Sequence, residues 1–208
     1  MEPERDLGAA LADVAGLGPY FLLETGPAEP GWLPLGEGLG ELVTHYCERL
    51  GTPDRRVAGS ILFQGLASRI WSPLIGCAAA HGSVPDLTGL RWRWAEGAPI
   101  GLLAARARPS DMPLFETAMA VLGPLREAWP VKLADGLVWG NAASALAGTR
   151  HAARVRPELG PRISGLVGEL LRRPPLRGAL EPVTLRRRSC CLYYKVPPGG
   201  GTCGDCPL

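Results

Sequence analysis

Four of the six cysteines fall within seventeen positions near the end of the chain, in the run SCCLYYKVPPGGGTCGDC: Cys190, Cys191, Cys203 and Cys206. Thiolates bind soft or borderline metals, and four of them suffice for a tetrahedral zinc or an iron–sulfur cluster. Cys203 and Cys206 have the Cys-x-x-Cys spacing that wraps one ion. Cys190 and Cys191 do not, because adjacent side chains in an extended segment point apart. A binuclear cluster is wider and accepts neighbouring thiolates more readily. The residues alone therefore rank an iron–sulfur centre first, zinc second and a disulfide-bonded tail third, and leave open which cysteines share an iron.

The intervening VPPGGGT fits a tightly wrapped cofactor. Gly199, Gly200 and Gly201 are free to take positive φ and bring N–H groups close, and Gly204 is placed to do the same. Arg186, Arg187, Arg188 and Lys195 flank the motif. An anionic cluster becomes more so on reduction, so nearby cations favour the reduced form. Arg188 and Lys195 are candidates for this cluster environment, although solvated charges on an edge read equally well.

The rest of the chain supplies an ordinary body. Its 208 residues suit one domain, with 46% hydrophobic and 20% charged residues, and a net charge of +2 selects no nucleic acid. The acidic N-terminus does not read as a secretory signal. The longest apolar region is interrupted by Gln64, Arg69 and Pro73, which argues against an integral membrane protein. A cytoplasmic location is expected, where clustered thiols mean metal or redox chemistry more often than disulfides.

Helical spacing recurs along the chain. A short helix is expected near residues 6–17, and another carries Leu39, Leu42, Val43, Tyr46 and Leu50 on one face. A third begins at an Asp54 cap and is predicted to break or kink at Pro73, with a short helix continuing to Ala80. The period then changes: Leu90, Trp92 and Trp94 alternate with Arg91 and Arg93, which predicts a β-hairpin with its tryptophan face inward. Helices resume over about 113–129, 134–155 and 157–173. PVTLRRRSCCLYYKV is expected to be extended and the tail beyond Pro197 a loop. The fold class is α+β, mainly helical: a bundle-like body, a small antiparallel hairpin or sheet, and a C-terminal cluster-binding loop. The boundaries are a lobe over 1–109, helices over 110–185 and the cysteine segment over 186–208.

RRRSCCLYYKVPPGGGTCGDCPL resembles the C-terminal signature of the FhuF-type ferric-siderophore reductases: Cys-Cys, a spacer, and Cys-x-x-Cys. The spacer, Leu192 to Thr202, is one residue longer than the family pattern. LVWGNAASALAG is similar to the family's Trp-Gly-Asn-x-Ala-Ser helix, carried by Trp139, Gly140, Asn141, Ala143 and Ser144. The resemblance implies a [2Fe-2S] cluster on Cys190, Cys191, Cys203 and Cys206. It also implies one-electron reduction of a siderophore-bound ferric ion, fed by a separate donor such as a ferredoxin, flavodoxin or reductase. Two rival readings are an electron carrier for a biosynthetic pathway and a non-enzymatic binding module with a zinc tail.

Other candidates are weaker. His45, His81 and His151 are dispersed, and Cys47 and Cys77 read as small hydrophobes. No nucleophile triad, phosphate loop or dinucleotide fingerprint is present. Trp92 and Trp94 are candidates for a substrate pocket, with core packing as the competing role. Tyr193 adjoins the cysteines and is expected to shield the cluster, while Asn141 is expected to bond to its loop.

Overall fold

One long helix organises the molecule. The computed structural model describes residues 7–199 and 201–208. Its α-helices are α1 (Leu7–Ala15), α2 (Leu39–Arg49), α3 (Arg55–His81), α4 (Leu114–Glu127), α5 (Asp135–Gly148) and α6 (Gly160–Leu170). The expected cap is in place on α3: Asp54 Oδ1 accepts the Arg56 N–H at 2.9 Å. At the other end Gly82 takes φ 65°, and the N–H of Ser83 reaches back to the Cys77 carbonyl, a left-handed stop. From Leu62 to Ala79 this helix is buried on nearly every side. Helices α1, α2, α4, α5 and α6 all pack against it.

The expected break at Pro73 is not found, and α3 runs through it to His81. Proline removes one backbone bond, to the Arg69 carbonyl, at a local cost of about 3 kcal/mol. Burial of the flanking turns, with Ile70, Trp71, Leu74 and Ile75 all at 0% exposure, outweighs it.

The sheet is larger than the expected hairpin. Strands β1 (Glu24–Thr25), β2 (Leu33–Pro34), β3 (Arg91–Arg93) and β4 (Gly101–Ala104) lie in the order β1-β4-β3-β2. The hairpin pair is antiparallel with Trp92 opposite Leu102, whereas β1 joins β4 in parallel. The tryptophan face does turn inward. Trp92 is buried and donates its indole N–H to the Glu37 carbonyl at 3.0 Å. Trp94 packs beside His45, with ring centroids 4.5 Å apart.

Two expected long helices are interrupted. Helix α5 gives way to a 3₁₀ segment at Thr149–Arg154, and a 3₁₀ turn at Pro157–Leu159 precedes α6. The segment expected to be extended before the cysteines is instead folded into turns. It holds one isolated bridge, Leu180 with Arg187, left-handed Leu185 and Leu192, and a 3₁₀ turn at Tyr193–Lys195. Within it Arg187 is buried while its neighbours Arg186 and Arg188 stay exposed. Among the described residues no helix is long and apolar enough to cross a membrane.

Candidate metal centre

The cysteine segment is fastened to α3 and α5 by a buried polar chain. Ser60 on α3 donates its hydroxyl to the Cys191 carbonyl at 2.7 Å. Asn141 on α5 is fully buried and donates its amide to Ser60 O at 2.9 Å and Ser60 Oγ at 3.0 Å. Its carbonyl oxygen accepts from Arg187 Nη1 at 2.9 Å. Arg187, whose side chain has no exposure, also bonds Asp205 Oδ2 through Nε at 3.2 Å. Its backbone N–H donates to the Asp205 carbonyl at 3.0 Å. The chain thus runs from Asp205, inside the Cys-x-x-Cys, to the backbone of Cys191, inside the Cys-Cys pair.

Further bonds hold the flanks. Ser189 Oγ donates to the Gly136 carbonyl at 2.6 Å, docking the residue before Cys190 onto the first turn of α5. The Arg186 guanidinium donates twice to the Cys206 carbonyl, at 2.8 and 3.2 Å. The left-handed Leu192 turns its N–H onto Cys190 Sγ at 3.3 Å. Among the described residues this is the backbone donor that reaches a cysteine sulfur. Gly199 and Gly201 do take positive φ, at 112° and 65°, while Gly200 lies outside the described residues.

The thiols are all free. Cys191 and Cys206 are buried, and Cys190 and Cys203 are half-buried. Cys191 Sγ lies 3.5 Å from Cys203 Sγ, far beyond the roughly 2.05 Å of a disulfide. Two thiolates on one tetrahedral metal, each about 2.3 Å from it, sit roughly 3.7 Å apart, so this pair has the separation that a shared metal requires. Burial, and then the hydrogen bond and charge of Cys191, push the Cys203 thiol up to about 12. Without metal the Cys203 thiol keeps its proton; a metal displaces it. Among the described residues no three His, Cys, Asp or Glu side chains are arranged around a single ion. The sulfurs meet across the two motifs rather than within either one.

Two open clefts reach this pair. One, of about 470 Å³, is lined by Cys191, Cys203, Tyr193 and Arg69. The other, of about 990 Å³, is lined by Cys203, Gly204 and Asp205 together with the turn after α5. Tyr20, Gln64 and Ser68 line both.

The sequence-predicted residues divide accordingly. Asn141 does bond to the cysteine segment, through Arg187 and Ser60 rather than to a sulfur. Tyr193 borders the cleft beside Cys191 and Cys203, whereas Tyr194 lies 6.0 Å from the Lys195 ammonium. Arg188 and Lys195 are exposed, and the buried guanidinium is the neighbouring Arg187. Trp92 and Trp94 line neither cleft. They serve the hairpin's packing, the competing role considered for them. Ser60 and Asp205 carry the connection without having been singled out, and Arg187 had been named only among the flanking cations. Arg187 stood in view within an Arg-Arg-Arg run, where three identical residues gave no sign of which one is buried.

Residues 187–208 match the family model described as the FhuF 2Fe-2S C-terminal domain. The match begins at the buried arginine and takes in all four cysteines. No curated protein and no solved structure matches the chain. The C-terminal segment is consistent with the FhuF type, and its cysteine cluster fits a [2Fe-2S] cofactor.

Proposed function

We propose that Cys190, Cys191, Cys203 and Cys206 hold a [2Fe-2S] cluster with which the protein reduces siderophore-bound Fe(III), releasing Fe(II) in the cytoplasm. The observation that carries this reading is the approach of Cys191 Sγ to Cys203 Sγ at 3.5 Å, inside a segment that matches a 2Fe-2S domain, at the edge of open clefts. Bound there, the cluster supplies one electron at a time. Fe(III) is gripped by hard oxygen donors, and the larger, less charged Fe(II) far more weakly, so one electron loosens the metal without breaking the chelator.

The chain's own residues set the conditions. The 3.5 Å approach of Cys191 to Cys203 supports a shared iron for that pair, with Cys190 and Cys206 as the remaining ligands. Arg187 keeps a cation buried behind the segment, and its partner Asp205 holds it there. Half-buried Cys203 borders both clefts, where a chelate can approach a ligand sulfur without displacing protein. No acid, base or nucleophile is needed for such a transfer. The electron comes from a separate small iron–sulfur or flavin protein.

Anaerobically purified protein should be reddish, with charge-transfer absorption that bleaches on dithionite. Adding a ferric siderophore to the reduced protein should restore the colour and release Fe(II) to a ferrous-specific chelator. Colourless protein containing stoichiometric zinc would reject the reading.

A further inference from the structure

The larger cleft has a charge pattern of its own. The 3₁₀ segment Thr149–Arg154 contributes Arg150 and Arg154 to its lining. Both are exposed, and among the described residues neither has a hydrogen-bond or ion-pair partner. The contrast with Arg156, two residues on, is direct: that guanidinium is held by Asp13 and Glu158, each at 2.8 Å. The carboxylate that lines the cleft is Asp205, and it is engaged by the buried Arg187. The wall therefore presents two uncompensated guanidinium groups facing the same concavity as Cys203. A concave surface lined by one sign of charge concentrates ligands of the other. The guanidinium fork suits paired oxygen acceptors. At about 990 Å³ the cleft lies at the upper end of the range for small-ligand sites.

We infer that this cleft is the chelate site, and that it is built for a net-anionic oxygen chelate of Fe(III) of the tris-catecholate kind rather than a neutral one. The inference rests on the proposed reduction. Three catecholates leave a trianionic ferric complex, whereas three hydroxamates leave a neutral one. Arg150 and Arg154 receive the excess negative charge while the iron faces the Cys203 edge. One electron passes from the reduced protein to Fe(III), giving Fe(II), and the catecholate oxygens that let go take protons from water. The donor protein then restores the electron.

The test separates binding from electron transfer by replacing Fe(III) with Ga(III), which has the same charge and is not reduced. Equilibrium dialysis of the cluster-loaded protein should show the gallium tris-catecholate bound about tenfold or more tighter than a gallium tris-hydroxamate. The double variant Arg150→Gln/Arg154→Gln should erase that preference with iron content and visible spectrum unchanged. Raising salt should weaken the anionic chelate selectively. Arg106→Gln, an exposed cation outside the cleft, should change neither affinity. Equal binding of both chelates, or a preference that survives the double variant, overturns the inference. If neutral ferric hydroxamate still reoxidises the reduced protein in that case, the proposed reduction stands alone. If no ferric chelate reoxidises it, the parent reading fails and takes this one with it. Should the double variant slow reduction by an acidic carrier protein and leave chelate binding intact, the cleft belongs to the donor, which also overturns the inference.

Discussion

At Gly140 an added Cβ would overlap the hydroxyl of Ser189, which is committed to the Gly136 carbonyl. In an ordinary helix interior, alanine is favoured over glycine by about 1 kcal/mol. Here the sign should reverse, because Ser189 must rotate and give up its bond just before Cys190. Gly140→Ala is expected to cost about 1–2 kcal/mol and to lower iron per chain; adding Ser189→Ala should remove the overlap and return the part of the loss due to it, but not the part due to the missing bond to Gly136. A single variant that is more stable and fully loaded would refute the packing argument. Asn141 is tested in the same place. Asn141→Ala leaves the Arg187 guanidinium and the Ser60 carbonyl each short of a partner in the interior, at an expected cost of about 2–3 kcal/mol. Iron content and reduction potential should change with it; if both stay normal, Asn141 does not anchor the centre. These residues explain how far the site was legible. The cysteines stood out as a chemical pattern, and the Trp-Gly-Asn-x-Ala-Ser helix through its resemblance to a known family. The serine at position 60 did not, because one hydroxyl among apolar neighbours on a helix carries no signal until its partner, 131 residues away, is beside it.

The ends of α3 were readable to different degrees. Asp54 followed by a helical run announces a cap, and the cap bond is there. The end near Ala80 was expected but as a separate short helix after a break or kink at Pro73, and the left-handed role of Gly82 depends on the helix running through to it. Asp54→Ala should cost about 1 kcal/mol through the unsatisfied first-turn N–H. Gly82→Ala should cost about 1 kcal/mol through its positive φ, although alanine is the better helix former. Urea midpoints of the two variants check this, and a neutral Gly82→Ala would show that the helix end can relax. The hairpin was legible because Leu90 to Trp94 alternate through β3 and an apolar run from Ile100 follows across Glu96 and Gly97. Strands β1 and β2 were not, at two residues each, because so short a strand has no period to read.

Ion pairs that close the whole molecule link segments distant in sequence. Asp13 on α1 meets His81 at the end of α3 and Arg156 beyond α5, both at 2.8 Å. Glu116 on α4 meets Arg173 beyond α6 at 2.6 Å. The hydrogen bond from His81, and then that from Arg156, hold the Asp13 carboxyl below its usual value of 3.8. The hydrogen bond from Arg173 does the same for Glu116, ordinarily 4.5. A carboxyl with a lowered folded pKa binds protons more weakly folded than unfolded. Its contribution is therefore complete above the unfolded value and is lost as pH falls through the folded one. The window opens below about pH 5, around the ordinary glutamate value of 4.5, and stability should be flat with respect to these groups above it. Because Asp13 and Glu116 are 44% and 39% exposed, each pair should contribute less than about 1 kcal/mol. The expected result is a urea midpoint that declines from about pH 5 to about pH 3, with a shallower decline in Asp13→Asn and shallower still with Glu116→Gln added. Acid also releases iron from thiolates, so the slope of the parent alone does not isolate the ion pairs, but the difference between parent and variants does. If the variants lose stability equally at every pH, these contacts act by packing and not by charge.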